Sequence, residues 1–223
     1  MASNDPTTSP FRYRWLIGAA LLISLPIMAW TISKAVEGDK AISIPLPLLS
    51  TLRPEPLPLQ DFSLTDQYGQ PFTLDRLKGK WSFVFFGYTS CPDICPTTLH
   101  EMASIADILA NKKRDDNIQF VFISVDPDRD SIELLKDYMG YFNPTFIGLT
   151  GRQSDIDALT QQLNILTIRN PPDSSGNYQV NHTSSIMLID PKRRWFASFS
   201  PPLNDKRIAE QFALLRDFYR QEN

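Results

Sequence analysis

This chain of 223 residues has only two cysteines, two histidines and nine glycines. So few soft ligands leave room for at most one small soft-metal or redox site. An excess of positive charge is also missing. There are 22 basic and 25 acidic residues, for a formal net charge of −3, and a nucleic-acid binder would show a basic face instead. No internal repeat is found. The 42% apolar content suffices for a sizeable core in a chain of this length.

The 18 prolines are clustered, and they help divide the chain. Residues 15–33 read WLIGAALLISLPIMAWTIS, without a charge. At about 1.5 Å per residue they reach about 28 Å, close to the hydrocarbon thickness of a bilayer. Trp15 and Trp30 lie near the two ends, where amphipathic rings prefer the interface. Arg12 and Arg14 precede the run; Lys34 follows it, with Glu37 and Asp39 close behind. The positive-inside rule therefore predicts a short cytoplasmic N-terminus (1–14), a transmembrane anchor (15–33) and an exported remainder. A cleaved signal peptide is the alternative. Its apolar region is usually about 7–15 residues and ends in a small-x-small site, of which Ser33-Lys34-Ala35 is a poor version. The N-terminus lacks the composition of an organelle transit peptide. The expected location is a bacterial inner membrane, with the domain in the periplasm.

Residues 34–58 read as a Pro-rich spacer. Pro45, Pro47, Pro54, Pro56 and Pro58 favour extended, polyproline-like chain, and an irregular arm packed on the domain is the alternative.

Residues 59–223 are expected to carry the fold. Stretches 61–65 and 71–74 flank a Gln-Tyr-Gly turn and read as a hairpin. Trp81–Gly87 (WSFVFFG) and residues 118–125 (IQFVFISV) are continuous apolar runs, typical of strands buried on both faces. Residues 96–110 read as a helix with Leu99, Met102, Ile105, Ala106 and Leu109 inward. Further helices are expected over 130–141, opened by a capping box of Asp130 and Glu133, and over 154–163. Residues 146–149 read as a strand, and 185–189 and 195–200 as a hairpin. A terminal helix over 204–220 carries the stripe Ile208, Phe212, Leu215 and Tyr219. Alternating strands and helices of this kind predict an α/β fold. Its central mixed sheet is expected to be mostly parallel, with helices on both faces and a thioredoxin-like order.

The first long strand runs into Tyr88-Thr89-Ser90-Cys91-Pro92-Asp93-Ile94-Cys95-Pro96. Sites in open parallel sheets lie beyond the carboxyl ends of the strands, where this loop sits. Pro96 suits the first helical position, which makes Cys95 the expected N-cap. A thiolate there meets backbone N–H groups and the positive end of the helix dipole. Three readings compete for the pair. A structural disulfide across so small a loop constrains the unfolded chain little. A thiol–disulfide oxidoreductase usually carries Cys-x-x-Cys, and here there is one residue more. A soft-metal site is the third, since two thiolates suit Cu(I) or Zn(II).

A metal site needs a further ligand. His182 is the natural candidate, because it precedes a sheet strand whose loop approaches the Cys loop in a thioredoxin-like fold. Thioredoxins place a cis-proline there, whereas this chain has no proline between Pro172 and Pro191. His100 falls about 140° around the helix from Cys95 and is read as an ordinary helix residue. Structural zinc wants four closed ligands, so two thiolates and one imidazole favour copper. Asp93 is a candidate weak ligand or tuner, with a solvated carboxylate as the simpler reading. The Asp126, Asp128, Asp130 spacing begins like a calcium loop. Ser131 stands where that loop needs Gly, and Asp137 where it needs Glu. Met102 and Met187 fall in core patterns.

Taken together, these segments are similar to the Sco/SenC family. The stretch from Phe85 to Pro96 resembles its Cys-containing signature, Val125–Asp130 its Asp-Pro-x-Arg-Asp segment, and His182-Thr183 with the following strand its His-containing strand. The resemblance implies a copper-binding assembly factor for cytochrome c oxidase, with Cys91, Cys95 and His182 as ligands of Cu(I) or Cu(II). It implies as partners the copper-receiving subunit of the oxidase, other copper chaperones and a thiol reductant, since an empty pair tends to oxidise outside the cytoplasm. No catalytic turnover is needed. A thiol–disulfide reductase or a redox-signalling protein would use the same cysteines without His182.

Overall fold

The computed structural model describes residues 44–112 and 117–222, together with Met28 and Trp30. The expected anchor and residues 34–43 fall almost entirely outside the described residues. Among the described residues no helix is long and apolar enough to cross a membrane. Ile44–Asn223 forms one compact unit.

Its described residues form ten strands and four helices: β1 Leu52–Pro58, β2 Ser63–Asp66, β3 Pro71–Thr73, β4 Trp81–Gly87, α1 Ile94–Asn111, β5 Ile118–Ser124, α2 Ile132–Phe142, β6 Ile147–Thr150, α3 Gln153–Gln162, β7 Thr167–Arg169, β8 Val180–His182, β9 Ile186–Ile189, β10 Arg194–Phe199 and α4 Asp205–Glu222. Eight strands form one sheet in the order β1-β10-β9-β4-β5-β6-β2-β3, and β7 and β8 pair separately. The sheet is mixed, as expected, but it is not mostly parallel. Only β4–β5 and β5–β6 are parallel pairs. The expected 185–189/195–200 hairpin adds two antiparallel strands on one side of β4, and the first hairpin docks antiparallel on β6.

The centre is aromatic. All seven residues of β4 are buried, which is why the segment shows no alternation. Phe83 stacks on Phe120 at 4.9 Å and meets Phe212 of α4 edge-on at 5.0 Å. Trp81 packs edge-on against Phe196, Phe212 and Tyr219. The α4 stripe is thus the one its 3.6-residue period indicates. Met102 and Met187 are both buried in this core.

The expected spacer behaves differently from an extended arm over its second half. Leu48 and Leu52 are buried, and β1 pairs antiparallel with β10. Pro54, Pro56 and Pro58 lack an N–H and are tolerated because β1 is an edge strand. Edge prolines also discourage pairing with another chain.

Two helix starts differ from expectation. α1 begins at Ile94 with Asp93 as N-cap, so Cys95 is not the N-cap but lies within the first turn. Pro96 sits inside that turn, where N–H groups have no intrahelical partner and proline is tolerated. The N-cap of α2 is Ser131, whose side chain accepts from Leu134 N–H. Asp130 instead turns inward and is buried.

Candidate metal centre

β4 delivers the chain to the cysteine loop. Its last carbonyl, on Gly87, accepts from Val125 N–H at 2.8 Å, and the Tyr88 carbonyl accepts from Cys91 N–H at 3.2 Å. Cys95 is fully buried at the start of α1, while Cys91 is half-buried at the loop surface. Both are free thiols. The Cys95 sulfur lies against Gly87, where an added Cβ would stand 2.8 Å from it and 2.8 Å from the Phe122 ring.

His182 comes from the far side of the sequence. It ends β8 and is paired across the small hairpin with Thr167. The hairpin is closed by Thr183 N–H donating to Leu166 O at 3.1 Å and Leu166 N–H donating to Thr183 Oγ1 at 3.0 Å. The imidazole packs edge-on against Phe85 and Tyr88. Its Nδ1 lies 3.1 Å from the Thr183 carbonyl and its Nε2 lies 3.2 Å from Cys95 Sγ. A carbonyl can only accept, so Nδ1 carries a proton towards Thr183, and Nε2 is the ring nitrogen turned to the sulfurs. A metal-ligating histidine is oriented by this kind of backbone contact.

The Cys91 and Cys95 sulfurs and a His182 ring nitrogen all lie within 4.8 Å of one another, the sole such group of three among the described residues. At metal–ligand distances of about 2.0–2.3 Å, three donors around one ion stand roughly 3.5–4 Å apart, so this set fits a single ion. It offers two soft thiolate donors and one imidazole, which suits copper better than a closed four-ligand zinc site. A cleft of about 310 Å³ opens onto it, lined by Tyr88, Cys91, Asp93, Gln179, Asn181 and His182 among others.

The two thiols are electrostatically unequal. The Cys95 S–H donates to Cys91 and is the main cause that brings the Cys91 thiol down to about 3. Burial opposes this, while His182 and the Asp93 and Cys95 backbone N–H groups assist. Cys95 is pushed up, because it is that donor and because it is buried. The pair is therefore held as one thiolate and one thiol.

Two buried carboxylates hold the site's supports, and neither role was readable from the sequence. Asp126 accepts from Tyr178 Oη at 2.8 Å, from Arg169 Nη2 at 3.2 Å and from Arg129 Nε. Arg129 also donates to the Tyr178 carbonyl at 3.0 Å and lies 3.7 Å over the Tyr178 ring. Arg169 ends β7 and Tyr178 just precedes β8, so Asp126 grips the hairpin that carries His182. Asp130 accepts from Ser124 Oγ at 2.6 Å, from Thr89 N–H at 3.1 Å and from the Thr89 hydroxyl. It ties the cysteine loop to the end of β5. Burial raises its pKa. These contacts replace both the calcium-loop pattern and the expected Asp130 cap. Gly87 was also missed as a site residue, although a glycine closing a fully apolar strand directly before the cysteine loop is a usable signal.

Of the remaining candidates, Asp93 lines the cleft beside Cys91, with an exposed side chain outside the group of three donors and a carbonyl that accepts from Thr97. His100 packs on Phe142 and Tyr141 of α2, away from the thiols as its helical position indicates.

Comparison with known proteins places this geometry. The SCO1/SenC family model matches residues 51–215. This chain belongs to the SCO1/SenC family. Within the curated proteins, the SCO2-like protein of Rickettsia felis is 43% identical over 151 residues, covering 67% of this chain and 73% of that protein. The copper-bound ScoI structure from Bradyrhizobium japonicum is 34% identical, with a TM-score of 0.64 over 71% of this chain and 98% of that one. Copper-bound ScoI from Arabidopsis thaliana is 30% identical, with a TM-score of 0.65 over 73% and 98%. The α/β domain described above is thus the SCO1/SenC fold, a thioredoxin-like arrangement with helices flanking a mixed sheet.

Proposed function

We propose that this chain is a copper carrier that serves assembly of the dinuclear copper centre of cytochrome c oxidase, with Cys91, Cys95 and His182 as ligands. The observation that carries the reading is the convergence of two sulfurs and an imidazole nitrogen from segments 87 residues apart. Family membership and the copper-bound relatives support it.

Copper is the cargo. Cys91, already a thiolate, meets the incoming ion at the mouth of the cleft. Cys95 loses its proton as it joins, and His182 completes the set without a change of ring orientation because its Nε2 already faces the sulfurs. The half-exposed Cys91 gives an acceptor's ligands a place to begin exchange. The acceptor in this reading is the copper-receiving subunit of the oxidase. A thiol reductant and other copper chaperones act before loading. The chain is anchored in a bacterial inner membrane by residues 15–33, with the domain in the periplasm.

A second reading is a thiol–disulfide reductase acting on the acceptor's cysteines, favoured by the low-pKa, half-exposed thiolate of Cys91. Copper titration of the reduced chain separates the two. The copper-carrier reading expects one copper per chain, with affinity lost in Cys91→Ser, Cys95→Ser and His182→Ala. Unchanged copper binding in His182→Ala with thiol exchange intact leaves the reductase.

A further inference from the structure

Thr183 directly follows His182, just past the end of β8. Its carbonyl accepts from His182 Nδ1 at 3.1 Å. Its own N–H donates to Leu166 O at 3.1 Å, and its hydroxyl oxygen accepts from Leu166 N–H at 3.0 Å. The place of the last of these bonds in the hairpin is unusual.

Opposite residues in an antiparallel pair alternate between exchanging two backbone bonds and exchanging none. Along this hairpin Thr167 faces His182, Ile168 faces Asn181 and Arg169 faces Val180. Asn170 N–H donates to Gln179 O at 2.9 Å, and Thr183 N–H donates to Leu166 O. The pairs 170–179 and 166–183 are therefore of the exchanging kind. In an unbroken ladder Leu166 N–H would return its bond to the Thr183 carbonyl. It donates to the Thr183 hydroxyl instead. A carbonyl in the ladder points across at the opposite strand. The Thr183 carbonyl is relieved of that duty and meets the ring of the residue before it.

We propose that the Thr183 hydroxyl is a positioning group for the copper site: it takes the ladder place of its own residue's carbonyl and so frees that carbonyl to hold His182 Nδ1–H and aim Nε2 at the sulfurs. The inference rests on the copper-carrier reading and adds to it a residue that does not itself bind the ion. Phe85 and Tyr88 pack edge-on against the imidazole. They restrict its tilt but do not choose which nitrogen faces the thiols. The Thr183 carbonyl makes that choice, because it accepts only from a protonated Nδ1. Outer partners of a ligating histidine fix its tautomer and orientation in this way. Position 183 therefore needs a short side chain with an acceptor. Valine has the shape of threonine without the acceptor. With valine there, Leu166 N–H draws the carbonyl back into the ladder, and Nδ1–H loses its partner.

The test measures Cu(I) affinity of the reduced full chain by competition with a chromophoric Cu(I) chelator. Wild type is compared with Thr183→Val, Thr183→Ser, His182→Ala and the double variant His182→Ala, Thr183→Val. Thr183→Val should weaken binding about tenfold, the lower end of what loss of an outer partner costs, and no more than His182→Ala does. Thr183→Ser should restore it. In the His182→Ala background Thr183→Val should add nothing, since the hydroxyl acts through the imidazole. Nitrogen-15 NMR of the Cu(I)-loaded chain supplies a second readout. The His182 ring proton should sit on Nδ1 and exchange slowly in wild type and Thr183→Ser, and exchange fast in Thr183→Val. Wild-type affinity in Thr183→Val overturns the proposal and leaves the copper-carrier reading standing. An equal loss in both backgrounds marks a merely structural role and also overturns it. If His182→Ala binds as tightly as wild type, the copper-carrier reading fails and the proposal falls with it. Should Thr183→Val not fold, the wild type decides. A slowly exchanging Nδ1 proton coupled to the Thr183 carbonyl supports the proposal, and one that exchanges like that of free imidazole overturns it.

Discussion

Gly87 and Cys95 are in such close contact that a methyl group on the glycine would stand 2.8 Å from the cysteine sulfur. No positive backbone angle is involved, so the constraint at Gly87 is purely steric. Gly87→Ala should therefore displace the Cys95 sulfur or push back Phe122, and overpacking of this kind costs about 1–3 kcal/mol. The expected outcome is a folded protein with a lowered melting temperature and weakened copper binding, read by thermal denaturation and metal titration together. Unchanged copper affinity in a destabilised Gly87→Ala protein would separate packing from the site and contradict this assignment.

Asp126 is the grip on the hairpin that carries His182. Asp126→Asn keeps one acceptor but removes the charge facing Arg129 and Arg169. Hydrogen bonds to charged groups contribute about 1.5–3 kcal/mol each, and both arginines are partly exposed, so a loss of about 1–3 kcal/mol is expected. Amide hydrogen exchange should show β7 and β8 opening faster while β4 and β5 stay protected. Exchange that quickens evenly across the whole domain would contradict a local role.

Asp130 gives a pH signature of known sign. Burial raises its folded-state pKa above the unfolded value. The protonated form is thus favoured by folding, and the stabilisation it brings is complete below the unfolded pKa. That stabilisation is lost as pH rises through the folded pKa. Melting curves of wild type and Asp130→Asn, taken from about pH 3.5 to pH 7 across the carboxylate range, should show the wild type losing stability relative to the variant as pH increases. A difference that is flat with pH, or that grows the other way, would refute the raised pKa.

Cys91 and Cys95 should differ sharply towards an alkylating agent. With its pKa lowered to about 3, Cys91 is a thiolate from pH 5 to pH 8. Its iodoacetamide rate in the reduced, metal-free protein should be nearly constant over that range. An ordinary thiol, with a pKa of about 8.5, slows about tenfold per unit below that value. Cys95, buried and protonated, should react last. Peptide mapping after short exposures checks both statements, and equal labelling that falls steeply below pH 8 would contradict them.

Much of this was legible from local pattern. Unbroken apolar runs marked β4 and β5, the 3.6-residue period marked α4, and two cysteines before a helix marked the loop. The legible features depend on composition within one element. The parts that were not legible depend on partners far away in sequence. Asp130 sits where a helix cap would sit, and its inward turn is set by Ser124 and Thr89 across the fold. Asp126 reads as part of an acidic run until Arg169 and Tyr178 are brought to it. Pro54, Pro56 and Pro58 read as an extended spacer, because nothing local reveals that β10 offers them a sheet edge. Cys95 was placed one position outside the helix because Pro96 was taken as its first residue, whereas the first turn accommodates the proline further in.

The account's central claim is that His182 binds the same ion as the two sulfurs, and X-ray absorption at the copper edge tests it most directly. Reduced, copper-loaded wild type should show two sulfur neighbours and one nitrogen neighbour per copper. The His182→Ala protein should keep the sulfurs, lose the imidazole nitrogen and bind copper at least about tenfold more weakly, as expected for removal of a ligand worth about 1.4 kcal/mol or more. An identical copper environment and affinity in the two proteins would contradict the claim.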